Sequence, residues 1–181
     1  MGMALTVPRY TVEELRHFPD DGNRYEILDG TLLVTPAPSL LHQRIVTALM
    51  GPLIAAMDRP LHAHVVAPGA VVLRPRTQLE PDILVIPARF SRDATWDDVT
   101  EHWLAVEMLS PSSRVYDRDF KRDAYLALGV QEVWLVDPTL EEIEVSRPRG
   151  QRENVRDLIR WRAPTLDVVV TINLRDVFPR H

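Results

Sequence analysis

Three short runs in this chain are apolar at nearly every position: PDILVI (81–86), WLAVEML (103–109) and EVWLVDP (132–138). Each is too short for an independent helix. Continuous apolarity, without alternation, is the pattern of a strand buried on both faces. A sheet built from such strands needs a covering layer on each side, so the runs restrict the chain to an α/β layered architecture. Each run also carries a carboxylate: Asp82, Glu107, and Glu132 with Asp137.

The intervening segments supply the covering layers. TVEELRHF (11–18) reads as a short helix capped by Thr11, with Glu14 completing a capping box. RYEILDGTLLVTP (24–36) reads as a hairpin around Asp29-Gly30, a pair suited to a type I′ turn. SLLHQRIVTALMGPLIAAM (39–57) has helical periodicity, with Leu41, Ile45, Ala48, Leu49, Pro52 and Ala56 on one face and a kink expected at Gly51-Pro52. HAHVVA (62–67) and AVVLR (70–74) read as strands. SPSS (110–113) offers helix caps for a helix over about 114–128 that Gly129 closes. EEIEVSRP (141–148) alternates like an antiparallel edge strand, and LDVVVTINLRDVF (166–178) reads as a strand and a final turn.

A chain of 181 residues fits one domain, here 1–181, divided into a helix and hairpin (10–36), a core (39–138) and C-terminal strands (141–178). It contains no cysteine, which excludes disulfides and thiolate metal sites and suits a reducing compartment. The N-terminus has no basic stretch followed by an apolar run, so no signal peptide is expected. The stretch IVTALMGPLIAAM is too short to span a bilayer. A cytoplasmic protein without membrane contact is expected. The net charge of −5 argues against broad, nonspecific gripping of nucleic acid, although arginines cluster over 147–162. No glycine-rich phosphate loop is present, which argues against a nucleotide kinase. Ser110, Ser112 and Ser113 look like caps, with no His/Asp partners for a nucleophile. His62 and His64 share a strand face as a metal pair would, but no third nitrogen ligand is in view. The four tryptophans read as core.

Carboxylates inside buried strands are costly unless paired, hydrogen-bonded or neutralised. Asp82 and Glu107, on successive strands, can converge, and converging hard oxygens suit Mg²⁺ or Mn²⁺. A strand-end acid, solvated or paired with an arginine, gives the same local pattern. Glu26, in the hairpin, is a third strand acid, with Arg24 and Arg44 as possible partners. Lys121 is the only lysine among twenty arginines. On a helical wheel Phe120, Ala124, Ala127 and Leu128 share the expected sheet-facing side, and Lys121 lies at its edge. There it could present a compact ammonium to the strand ends. An i,i+4 pair with Asp117 is the ordinary alternative, which arginine would serve equally well.

With these residues in place, the chain resembles the Uma-type putative restriction endonuclease family of the PD-(D/E)XK nuclease-like superfamily. The resemblance runs from TVEELRHF to EVWLVDP and is carried mainly by AVEMLSPSSRVYDRDFKRDAYLALGVQEVWLVDP. It implies a restriction-endonuclease-like three-layer αβββαβ core with a mixed central sheet, and metal-dependent phosphodiester hydrolysis. Asp82, Glu107 and the Met108 carbonyl would hold Mg²⁺, with Mn²⁺ as a substitute, and Glu26 would hold it directly or through water. Lys121 would orient or deprotonate the attacking water. The superfamily pattern places its lysine two residues after the glutamate, where this chain has Leu109; the Uma-type family is similar in taking it from the next helix. His42 matches a family position and could line the site, and Tyr125 could pack over it. DNA is the expected nucleic acid and a homodimer the expected assembly. The rivals are a catalytically inactive, oligomeric or nucleic-acid-binding module of the same fold, and an enzyme acting on another phosphoester.

Overall fold

The computed structural model describes residues 8–91, 93–109 and 120–178. The apolar runs form the centre of a six-stranded mixed sheet with strand order β10-β9-β8-β7-β6-β3. These strands are β3 (Ala63–Val66), β6 (Ile83–Pro87), β7 (His102–Met108), β8 (Val130–Asp137), β9 (Glu142–Arg147) and β10 (Gln151–Val155). Only β7 and β8 pair in parallel; the other neighbours are antiparallel. Every residue of β6 and β7 is buried, as their uninterrupted apolarity requires.

Helix α1 (Leu40–Leu53) covers one face. Ser39 caps it by accepting from the His42 N–H. Pro52 is accommodated without ending the helix, and a π-helical turn continues it over Ile54–Asp58. Leu40–Asp58 as a whole is long and apolar enough to cross a membrane by length and composition, further than the stretch read from sequence extends. Its Ile45, Leu49, Leu53 and Met57 are nonetheless fully buried in the core with Trp134, Val106 and Ile83. Leu41, expected on that face, is 43% exposed. Strands β11 (Leu158–Arg162) and β12 (Val169–Asn173) form a separate hairpin that adds Ile159, Trp161, Val170 and Ile172 to the same core.

The opposite face is covered by α2 (Arg122–Ala127) and by a four-stranded sheet of order β2-β1-β5-β4. Its strands are β1 (Arg24–Leu28), β2 (Thr31–Thr35), β4 (Val71–Leu73) and β5 (Thr77–Leu79). The β1-β2 turn has positive φ at both Asp29 and Gly30, as a type I′ hairpin demands. Gly129, with φ +89, follows α2. Only half of the capping box expected at Thr11 forms: Glu14 accepts from the Thr11 N–H and hydroxyl, but the Glu14 N–H goes to the Thr11 carbonyl and not to its side chain, and the turn that follows is 3-10. The order α1, β3, β6, β7, α2, β8 gives the expected αβββαβ core.

Several expectations need correction. EEIEVSRP is an interior strand: β9 lies between β8 and β10. Its acids alternate with core residues Ile143 and Val145 and are neutralised by arginines from outside the strand. Glu142 pairs with Arg156 and Glu144 with Arg122. The arginine-rich 147–162 segment contains β10 and β11, strands that the charge density conceals in the sequence. The part of the predicted 114–128 helix before Phe120 lies outside the described residues, as do Ser110, Ser112 and Ser113. In the remainder the helix is rotated from the predicted wheel. Phe120 is 55% exposed, whereas Lys121, Arg122 and Tyr125 are buried. Charge pairing with Glu26, Glu107 and Glu144 outweighs burial of the phenylalanine.

Candidate active site

The alternation of strand side chains decides which way the acids point. In β7, Leu104, Val106 and Met108 join the core under α1, while Ala105 and Leu109 join the core under α2. Glu107 is in phase with the second set. In β6, Ile83 and Val85 face α1 and Leu84 and Ile86 face α2. Asp82, immediately before the strand, is in phase with Leu84. Ile83 lies opposite Val106 in the antiparallel β6-β7 pair, which sets Asp82 across from Glu107. Glu26 approaches from β1, in the sheet covering that side. Three strands thus bring three acids to one place, and α2 supplies the lysine.

The contacts are close. The Lys121 Nζ lies 2.7 Å from Glu26 Oε2 and donates to Glu107 Oε1 at 3.0 Å. The Tyr125 hydroxyl donates to the same Glu107 oxygen at 2.7 Å. Asp82 Oδ2 accepts from the Met108 N–H at 2.8 Å, and Asp82 Oδ1 lies 3.2 Å from His42 Nε2. The Glu80 N–H donates to Glu26 Oε1 at 2.7 Å. Arg24 adds a second strong cation: Nη1 donates to Asp82 Oδ1 at 2.9 Å, Nε is 3.8 Å from Glu26 Oε2, and Nη2 is 3.9 Å from Glu107 Oε2. All the predicted side chains therefore meet here, and Met108 brings its peptide group. Arg24, which spacing alone marks only as a pairing partner of Glu26, proves to touch all three acids.

Relative exposures of 0% for Glu26, 1% for Glu107, 7% for Asp82 and 2% for Lys121 rule out solvated strand ends. Burial pushes the Glu107 carboxyl up to about 8; Lys121 and Arg24 oppose the rise, and the Asp82 and Glu26 charges add to it. Asp82 goes the other way. Burial alone would raise it, but the His42 hydrogen bond, the Arg24 charge and the Met108 N–H together hold it below the usual carboxylate range. Burial, with the Glu107 and Glu26 charges, keeps the Tyr125 hydroxyl well above its usual range, and so a donor.

Three carboxylates suit a hard divalent cation by donor chemistry. Glu26 Oε2 is buried and accepts no directed hydrogen bond despite its ionic contact with Lys121, leaving lone-pair capacity. Among the described residues, no three carboxylate or imidazole groups are spaced to share one ion as they stand; Arg24 and Lys121 lie against the oxygens concerned. The ring nitrogens of His64 face other groups than His62: Nε2 is 2.9 Å from the Phe90 carbonyl and Nδ1 3.9 Å from Asp58.

A cleft of about 670 Å³ opens beside the cluster, with Arg24, Ser39, His42, Asp82, Met108 and Thr139 on its walls. Asp82 meets it directly, flanked by Arg24 and His42, whose side chains are 23% and 20% exposed.

Residues 12–175 match the model of the family Uma2, described as "Putative restriction endonuclease". The fold is shared with the crystal structure of a "putative nuclease belonging to DUF820" from Anabaena variabilis. The TM-score is 0.76 at 19% identity, over 93% of this chain and 97% of that one. No curated protein matches the chain.

Proposed function

Because the chain belongs to the Uma2 family, we propose that it is a divalent-cation-dependent nuclease whose active site is the cluster of Glu26, Asp82, Glu107 and Lys121. The observation that carries this reading is the meeting of Asp82 and Glu107, from adjacent strands, with a buried lysine ammonium 3.0 Å from Glu107. Glu132, Glu142 and Glu144, also strand acids, are each met by an arginine. Among the described residues, Glu26, Asp82 and Glu107 are the strand acids that share their cations, Arg24 and Lys121, and Asp82 opens onto the cleft.

Asp82, Glu107, Glu26 and the Met108 carbonyl would hold Mg²⁺ or Mn²⁺, which when bound polarises a phosphoryl oxygen and lowers the pKa of water. The chain's own groups do the positioning. Lys121 directs its ammonium at the water that attacks phosphorus and offsets the charge that accumulates there. Tyr125 holds Glu107 in one rotamer through its 2.7 Å hydrogen bond. His42 and the Met108 N–H fix Asp82 from two directions. The substrate we propose is DNA, entering through the cleft, and a homodimer would suit cutting of both strands of a duplex.

The test is hydrolysis of DNA, RNA and small phosphodiesters with Mg²⁺ or Mn²⁺ by the unaltered protein, Asp82→Ala and Lys121→Ala. We expect losses of about 100-fold or more in both variants. Activity that survives both substitutions sinks the mechanism. If calorimetry finds no Mn²⁺ binding dependent on Asp82 and Glu107, the protein is instead a non-hydrolytic binding module built on this fold.

A further inference from the structure

Arg24 faces one oxygen of each acid in the cluster: Asp82 Oδ1, Glu107 Oε2 and Glu26 Oε2. A divalent cation held by these carboxylates would draw on the same oxygens. A guanidinium and a metal ion cannot both occupy that position, for reasons of space and of like charge. We propose that Arg24 is the resident cation of the cluster, that it yields its place to the divalent ion, and that it then turns into the cleft to hold a substrate phosphate. The inference rests on the divalent-cation reading above.

Three observations support the exchange. First, Arg24 fits its present place poorly. Nη1 alone makes a side-chain hydrogen bond there, and Nε is buried with none. The planar, spread charge of a guanidinium matches a forked acceptor, and three separate carboxylates do not offer one. Second, Arg24 has a way out. Its side chain is 23% exposed, against 3% for Lys121. Of the two cations that contact these acids, only Arg24 lines the cleft. Third, among the described residues Arg24 is the one lysine or arginine on the cleft wall, so once released it is the strong cation that these residues offer there to a phosphate. Two parallel N–H donors then match two phosphate oxygens. Lys121, held on both sides by Glu26 and Glu107, stays in place as the fixed ammonium.

The experiment compares Mn²⁺ titrations of the intact protein, Arg24→Gln and Asp82→Asn by calorimetry, with bound and free Mn²⁺ counted by electron paramagnetic resonance. Arg24→Gln should bind Mn²⁺ at least about tenfold more tightly than the unaltered protein, because a competing charge is gone. With Mn²⁺ saturating, its affinity for a hydrolysis-resistant phosphorothioate DNA oligonucleotide should fall about tenfold in fluorescence anisotropy. Equal or weaker Mn²⁺ binding in Arg24→Gln, with binding lost in Asp82→Asn, overturns the exchange while leaving the cation site standing. Unchanged oligonucleotide affinity overturns the phosphate role. No Mn²⁺ binding by either the unaltered protein or Arg24→Gln overturns both the exchange and the cation reading.

The unaltered protein provides a readout that does not depend on the variant folding. The buried Arg24 Nε–H should give a slowly exchanging nitrogen-15 resonance, assigned through bonds. Saturating Mg²⁺ should shift it and speed its exchange with solvent. A resonance unmoved by Mg²⁺ overturns the exchange.

Discussion

Lys121 lies 2% exposed between the carboxylates of Glu26 and Glu107, and its confinement explains why arginine, used everywhere else, is not used here. An ammonium is compact and satisfies two carboxylates at 2.7 and 3.0 Å. A guanidinium is broader and planar, and in the same space it would push Glu107 away from Tyr125. Lys121→Arg should therefore fold, but with a loss of about 1–3 kcal/mol from overpacking, read by denaturant unfolding. Phosphodiester hydrolysis in the same variant should fall by about 100-fold or more, because the charge is kept and its position is lost. Near-normal hydrolysis in Lys121→Arg would mean that any cation suffices. The i,i+4 alternative for Lys121, with Asp117, falls on a residue outside the description, but the two buried acids account for the lysine without it.

At the scale of elements, the first turn of α1 controls how Asp82 is held. Ser39 caps the helix by accepting from the N–H of His42, and the imidazole of His42 reaches Asp82. Ser39→Ala should cost about 1 kcal/mol of stability and, by loosening the turn that carries His42, weaken Mn²⁺ binding. A thermal melt with a parallel Mn²⁺ titration checks both, and a drop in stability with unchanged Mn²⁺ affinity would separate the cap from the site. The strands that form the site were legible in the sequence because their apolarity is continuous and the acids interrupt it. The turn at Asp29-Gly30 was legible because few residue pairs tolerate positive φ twice. What escaped were β10 and β11, exposed at alternating or nearly all positions, which carry too many charges to look like strands. The α2 face escaped for a related reason. A wheel that ranks residues by hydrophobicity buries Phe120, whereas here buried acids on the sheet select Lys121 and Arg122. Arg24 was visible only as a neighbour of Glu26. Its contact with three acids depends on packing one sheet over another, and no local pattern encodes that.

At the scale of the whole molecule, the acid cluster lies at one end of β7 and His102 begins the other end. His102 is 4% exposed, and neither ring nitrogen makes a hydrogen bond. Burial pulls its pKa from 6.5 down to about 4, with the Glu101 charge opposing the fall. The unfolded chain thus takes up a proton near pH 6.5 that the folded protein refuses until about pH 4. Between those values the unfolded state binds more protons, so stability rises with pH. The contribution of a neutral His102 is complete above pH 6.5 and is lost as pH falls toward 4, an effect of about 3 kcal/mol. Paired denaturant titrations of the unaltered protein and His102→Leu, from pH 7.5 down to 4.5, should show the unaltered protein losing more stability over that span. Parallel pH dependence of the two proteins would mean that His102 does not titrate as its burial requires. His102→Leu also separates two causes of acid inactivation. It leaves Glu26, Asp82, Glu107 and Lys121 untouched, so hydrolysis that still fades with acid in this variant, while the fold holds, reports protonation within the site itself.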